Sequence, residues 1–463
     1  MEKGKNIIIN PMIQLLKPEV EELIKNKRWR VLKDVISTWH AADIADLFRE
    51  INVEDCAMIL RLLPQKLQTE VFSYLDSDMQ EKILKSLTAD HVKSIITEME
   101  PDDRTELFEE MPPELTRKLI NLLSSEERKV ALQLLGYPED SVGRLMTPDY
   151  VALKDHWTVE KAIEHIRKFG KDAETIDMVY VVDDEWYLLD DIPIRRLILA
   201  NREQTVRSIM DHRFISITAD LDQEEAIKIF EKYDLVALPV TDSEGHLLGI
   251  VTVDDIIDAL REEQTEDFTK FSAIEPKHVG LDFITRLKEV PLRKIFRARI
   301  TWLLTLLIMD LITGGIIQGF ENTIAKYVVL VTFLPVLIDT AGNAGSQSAT
   351  LVIRALALGT VKLRDWAYLL GKELLVAGAL GVTMGLGISI MGIIRGRSIL
   401  IAQVVVLAMI INVIVGSLIG VLLPFIFIKL KKDPATASTP LITTLADIIG
   451  TGIFLGIAYL MLG

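Results

Sequence analysis

The chain contains a single cysteine, Cys56, in 463 residues, which excludes an internal disulfide. Residues 291–463 hold no Cys and no His, so the soft ligands that copper and zinc favour are missing there. That stretch is also short of acid: 7 Asp+Glu stand against 14 Lys+Arg, a net of +7. The other 59 acids and 37 bases fall in residues 1–290 and give that part a net of −22. So acidic a soluble part repels nucleic acid and attracts cations. The opening MEKGKNIIINPM lacks the apolar core of a signal peptide, so the first domain is expected to stay in the cytosol. No P-loop, zinc-ligand spacing or nucleophile–base pair occurs, and this argues against an enzyme.

What residues 291–463 do contain is long apolar runs. Five spans are expected at 300–320, 327–353, 367–394, 399–428 and 441–462. The second and fourth exceed the roughly 20 residues a bilayer needs, so tilt or a break is expected, with Gly342, Gly345 and Pro424 marking where. Basic residues set the orientation. Arg293, Lys294, Arg297 and Arg299 precede span one; Arg354, Lys362, Arg364 and Lys372 follow span two; Lys429, Lys431 and Lys432 follow span four. The opposite loops carry only Lys326, Arg395 and Arg397, so the N-terminus is expected inside and the C-terminus outside.

Within span five a lone acid, Asp447, stands in LITTLADIIGTGIFLGIAYLML. A carboxylate at that depth costs roughly 2.5–3.5 kcal/mol unless it faces a cavity, a partner or an ion. Thr443 precedes it at i,i+4 spacing and shares its helix face. Span two carries a second polar constellation, Asp339 to Ser348, in which Asn343 and Gln347 are again i,i+4. Its glycines suit either close helix packing or a pore wall. Asp310, Glu373 and Asn412 are further polar positions, each suited to interhelical hydrogen bonding.

Two repeats organise the soluble part. Apolar residues recur every 12 positions at Trp39, Ile51, Leu63, Leu75, Leu87, Met99, Met111 and Leu123. A second register gives pairs such as Ile59-Leu60, Val71-Phe72, Ile83-Leu84, Ile95-Ile96 and Leu107-Phe108. Pro64, Asp76, Thr88, Pro101, Pro112 and Ser124 fall between, so a superhelix of two-turn helices and short connections is expected. Residues 145–260 repeat differently. Leu145-Met146 and Ile209-Met210 open copies 64 residues apart, and an offset of 59 further on leaves copy one about five residues longer around 170–175. Each copy reads strand, helix, strand, strand, helix.

The second repeat resembles a pair of CBS modules, with LLGIVTVDDIIDAL as a specific ending. In such tandems a Thr and an Asp three residues later often hold an adenine nucleotide. Copy two offers Thr252 and Asp255; copy one has Pro193 and Arg196 there, and Asp190 where copy two has Gly249. At most one nucleotide site, for ATP or AMP, is therefore implied.

Taken whole, the chain resembles the MgtE family of magnesium channels through AGNAGSQSATLVIRAL in span two, DPATAS before span five and TTLAD around Asp447. It departs at Ala341, Ala344, Ser346 and Asp339. The resemblance implies a multidomain chain: an all-α superhelical N domain (1–140), an α/β CBS tandem (141–205 and 206–264), an amphipathic linker or plug helix (265–298) and a five-span α-helical membrane domain (299–463). It further implies a homodimer in the plasma membrane with a pore on the two-fold axis. Asp447, Asn343 and Thr443 would there meet hydrated Mg²⁺, which gives up its waters reluctantly. Mg²⁺ would also bind regulatory acids and hold the channel closed: Asp102 and Glu106 in the N domain; Asp222, Glu224, Asp234, Asp255 and Asp258 in copy two; Glu263, Glu266 and Asp267 in the linker; and Asp433 at the membrane entrance. The linker's Phe268, Phe271, Ile274, Phe283, Ile284 and Leu287, on polar ground, read as an amphipathic helix at the membrane face. Two alternatives stay open: a secondary transporter of another divalent cation such as Co²⁺ or Mn²⁺, with Asp310, Asp339 and Glu373 as titratable path residues, and a nucleotide-regulated CBS sensor.

Overall fold

The computed structural model describes residues 11–275, 283–284, 287 and 290–463. The opening decapeptide and the linker positions 276–282, 285, 286, 288 and 289 lie outside the described residues, so the expected amphipathic linker helix is described only in part. The chain divides into two compact units, residues 1–260 and 261–463.

The first unit opens with helices α1 (Pro11–Lys25), α2 (Trp29–Ile36), α3 (Ala41–Phe48), α4 (Val53–Leu62), α5 (Gln65–Ser73), α6 (Ser77–Ser86), α7 (Ala89–Glu98), α8 (Pro101–Glu110), α9 (Pro113–Leu122) and α10 (Ser125–Leu134). The 12-residue period is a capping period. Asn52, Pro64, Asp76, Thr88, Glu100, Pro112 and Ser124 are successive N-caps. Leu63, Leu87, Met99, Met111 and Leu123 are C-caps in extended conformation, which stops each helix and turns the chain. Asn52 and Asp76 accept from backbone N–H groups of the first turn, and Ser124 with Glu127 forms a capping box. The resulting helices of mostly ten residues approach three turns, longer than the two the spacing suggested. α4 packs on α6, α5 on α7 and α7 on α9, and the paired apolar positions Ile59-Leu60 through Leu107-Phe108 form one buried core.

A short α11 (Val142–Leu145) leads into the second repeat. Copy one is β1 (Ala152–Lys154), α12 (Val159–Phe169), β2 (Met178–Val182), β3 (Leu188–Pro193) and α13 (Ile194–Leu199); α14 (Val206–Ile209) connects the copies. Copy two is β4 (Ile217–Thr218), α15 (Gln223–Tyr233), β5 (Ala237–Thr241), β6 (Leu247–Thr252) and α16 (Val253–Phe271). In each sheet the first strand runs parallel to the second and the third runs antiparallel to it, with a register shift at the same place, Val181/Val182 and Val240/Thr241. The expected strand–helix–strand–strand–helix order is present twice. α16 does not stop at 264. It carries seven further residues, to Phe271, and the chain then leaves the helix at Ala273, whose φ is +55°. The start of the expected linker is thus an extension of the last CBS helix.

The second unit contains α17 (Leu292–Gly319), α18 (Glu321–Lys326), α19 (Leu334–Ala357), α20 (Trp366–Gly396), α21 (Ile399–Lys429) and α22 (Thr439–Leu462), with 3-10 turns at Val328–Thr332 and Pro434–Thr436. Five of its helical stretches are long and apolar enough to cross a membrane. The first begins at Leu292, so the basic run Arg293 to Arg299 occupies its opening turns. The break expected at Gly342 and Gly345 lies elsewhere: α19 runs straight through both, and the interruption falls where the 3-10 turn ends and Pro335 starts α19. α21 likewise continues through Pro424.

The span-two glycines have a packing role. α19 and α21 meet through Ala341 and Gly345 on one side and Gly416 and Gly420 on the other. A Cβ on Gly416 would lie 2.2 Å from the Ala341 carbonyl oxygen, and one on Gly420 would lie 2.0 Å from that of Gly345. Such closeness lets two backbones touch where lipid offers no hydrophobic drive for association. α21 also packs on α20 and α22, which makes it the centre of the bundle.

Candidate functional site

In the first unit, two helix N-termini bring carboxylates together. Glu100 caps α8, with Asp102 and Asp103 in its first turn; Asp254 and Asp255 occupy the first turn of α16. Helix starts tolerate negative charge because their free N–H groups are positive. Glu174, from the five-residue excess of copy one, joins them. Carboxylate oxygens of Glu100, Asp102 and Glu174 all lie within 4.8 Å of one another. Asp102 is 8% exposed and its Oδ1, like Oε2 of Glu174, is buried with no hydrogen-bond partner.

The electrostatics follow from that crowding. Burial, then repulsion from Asp255, Asp103, Glu174 and Glu100, pushes the Asp102 carboxyl well above the usual range. Burial and the neighbouring Glu100 push Glu174 up to about 8. Burial raises Asp255 to about 7, against the stabilising hydrogen bond from the Thr252 hydroxyl at 2.7 Å. Glu100 and Asp103 are raised as well, chiefly by burial. Buried Arg104 lies within electrostatic range of Asp102 and offsets part of the charge. Carboxylates so placed need either protons or a cation. Hard oxygen ligands with unsatisfied lone pairs fit Mg²⁺ or a similar dication.

Other regulatory acids expected from the sequence sit apart or have partners. Glu106 lies on the exposed face of α8, one turn beyond Asp102, with its carboxylate within 4.8 Å of that of Glu110. Asp258 is exposed on α16 and within electrostatic range of Asp103. Asp222 caps α15 by accepting the Glu224 N–H at 2.9 Å, and Glu224 stands 3.8 Å from Lys228. Exposed Asp234 ends that helix in a left-handed conformation. In the second unit, Glu263 and Asp267 are half-buried on α16, while Glu266 and Asp433 both bind Lys270.

Copy one's nucleotide position is filled from within the chain. Arg196 donates to Asp211 Oδ2 at 2.7 Å, and fully buried Asp190 accepts the Asp211 and His212 N–H groups at 2.8 and 3.2 Å. In copy two, Thr252 and Asp255 are bonded to each other and face the carboxylate cluster.

In the membrane unit, Asp447 is half-buried on α22, one turn beyond Thr443. The Thr443 hydroxyl donates to the Pro440 carbonyl at 2.9 Å, which leaves its lone pairs for a ligand. Thr443 packs on Gly342, where a Cβ would come within 3.1 Å of its Cγ2, so α19 delivers the adjoining Asn343 to this region. Asn343 and Gln347 are exposed in the single chain. Asp310 of α17 and Asp339 of α19 both stand within electrostatic range of Asp447. Glu373 accepts the Ser348 hydroxyl at 2.6 Å between α20 and α19, and Asn412 donates to the Gly450 carbonyl at 3.2 Å between α21 and α22. Those two are interhelical ties.

Glu100, Asp103, Glu174 and Asp254 were not among the site residues expected from sequence. Glu100 holds the N-cap place of the 12-residue frame, and Glu174 lies in the length excess of copy one; those were the available signals.

Five helices long and apolar enough to cross a membrane, one of them carrying a lone carboxylate, and an acidic unit with a CBS-like tandem define a polytopic membrane protein. Three family profiles match: an intracellular N domain over residues 39–140, CBS domains over 142–201 and 206–262, and a divalent cation transporter domain over 334–457. A magnesium transporter of Thermus thermophilus is 36% identical over 97% of this chain and 99% of its own length. One from Bacillus subtilis is 38% identical over 72% of each chain. A crystal structure of the cytosolic domain of an MgtE Mg²⁺ channel with ATP matches with a TM-score of 0.51 and 35% identity, covering 52% of this chain and 99% of that one. The soluble part of a magnesium transporter matches at the same TM-score and 29% identity, over 54% and 99%. The chain belongs to the MgtE family.

Proposed function

We propose that the protein is a Mg²⁺ channel of the plasma membrane, a homodimer whose pore passes Asp447 and which is closed by Mg²⁺ on its cytosolic acids. The observation that carries the pore assignment is Asp447, half-buried at membrane depth beside Thr443, with further acids as its charged neighbours. A carboxylate is sustained there by a passing cation and its water. Across a two-fold axis each Asp447 would face its twin, and two carboxylates would hold a hydrated dication, with Asn343 and Thr443 as supporting oxygens. The distribution of basic residues among the loops supports a cytosolic first unit and a C-terminus outside.

Closure is assigned to the acid cluster. Without a cation, Glu100, Asp102, Glu174 and Asp255 repel one another; a bound Mg²⁺ removes that repulsion and draws α8 and α16 together. Internal Mg²⁺ thereby limits its own entry, and the remaining acids, Glu106 and Asp222 among them, add to the response. A similar cytosolic domain has been solved with ATP, and Thr252 and Asp255 are the pair a nucleotide would use. Asp255 is given to the cation here because it faces carboxylates. Complementation of a Mg²⁺-dependent strain tests the function: the native chain should restore growth at low Mg²⁺ and Asp447→Ala should not. Growth with Asp447→Ala would remove the pore assignment.

A further inference from the structure

The second unit holds a cation of its own between two carboxylates that the sequence assigns to metal. Lys270 Nζ lies 2.7 Å from Glu266 Oε1 on the same helix and 2.6 Å from Asp433 Oδ2 in the segment before α22. Its side chain is only 22% exposed, so water screens these contacts incompletely. The other Asp433 oxygen accepts the Ala435 N–H at 2.7 Å and caps the 3-10 turn Pro434–Thr436. Ala435, Ala437 and Ser438 behind it are buried, and α22, with Thr443 and Asp447, begins at Thr439. One carboxylate thus grips the end of α16 with one oxygen and shapes the entry to α22 with the other.

We propose that Lys270 is a metal-independent latch. Its ammonium fastens the C-terminal end of α16 to the entrance of α22, so that the helix leaving the CBS pair stays attached to the Asp447 helix when no divalent cation is bound. The ammonium donates three hydrogen bonds at most, and the two charge-assisted ones use geometry that a neutral side chain cannot copy. The ammonium attracts both carboxylates at contact distance, so the attachment needs no metal.

The test is hydrogen exchange of the backbone amides of residues 262–275 in the full chain, in detergent with EDTA. Lys270→Gln and Asp433→Asn should each speed exchange there several-fold relative to the native chain. Lys270→Arg, which keeps the charge, should leave it unchanged. Native exchange in either neutral variant, or exchange in Lys270→Arg as fast as in Lys270→Gln, would overturn the latch. Because no Mg²⁺ is present, failure of the closure mechanism proposed above would not alter the result.

Discussion

Asp255 in the first turn of α16 stands close enough to buried Asp102 in the first turn of α8 that, after burial itself, its charge does most to make Asp102 hold its proton more tightly. The two belong to different domains of the first unit, so whatever neutralises them joins the N domain to the CBS pair.

The first prediction separates the two uses of Asp255. If it serves a cation, Mg²⁺ alone should protect the segment around α8 and the start of α16 from protease, and Asp255→Ala should weaken that protection without nucleotide. Neutralising Asp102, Glu174 and Asp255 together should leave flux open at high internal Mg²⁺. A defect that appears only when ATP is added would return Asp255 to the nucleotide.

Acidity should act in a stated direction. Glu174 and Asp255 have folded values raised to about 8 and about 7, above those of ordinary carboxyls. The folded state therefore binds more protons than the unfolded chain between about pH 4 and pH 8. In EDTA, thermal stability of the soluble unit should be fully present below the unfolded values and fall as pH rises through 7 and 8. Mg²⁺ should restore it most at the alkaline end, where the protons have left. A melting temperature in EDTA that rises from pH 6 to pH 8 would count against the cluster.

The glycine seam predicts a stability effect separate from transport chemistry. Gly420→Ala would set a Cβ 2.0 Å from the Gly345 carbonyl oxygen, so α19 and α21 must part. The overpacking should cost on the order of 1–3 kcal/mol and lower the unfolding temperature in detergent. Gly452→Ala, which meets nothing within 4 Å, should leave that temperature within error or raise it.

How far the fold could be read from sequence depends on range. The 12-residue frame and the duplicated strand–helix pattern are local periodicities, and both appear as caps and strands at the expected residues. Close packing was one of two readings of Gly345, but its partner Gly420 was not readable, because a close helix contact joins positions far apart in sequence. The same reason hid Glu174: only folding brings the length excess of copy one against α8. Asp433 shows the reverse case. The resemblance gave it a regulatory metal, while its ion pair with Lys270, 163 residues away in sequence, could be read only from the fold.

The central claim is that Mg²⁺ crosses the membrane past the Asp447 carboxylate. Its most direct measurement is Mg²⁺ entry into vesicles carrying the purified full chain, native or Asp447→Asn, driven by the Mg²⁺ gradient alone. The account predicts passive entry through the native chain and loss of most of it with the amide, while both proteins elute identically in gel filtration. Equal entry through Asp447→Asn, or native entry that requires a second ion gradient, would contradict it.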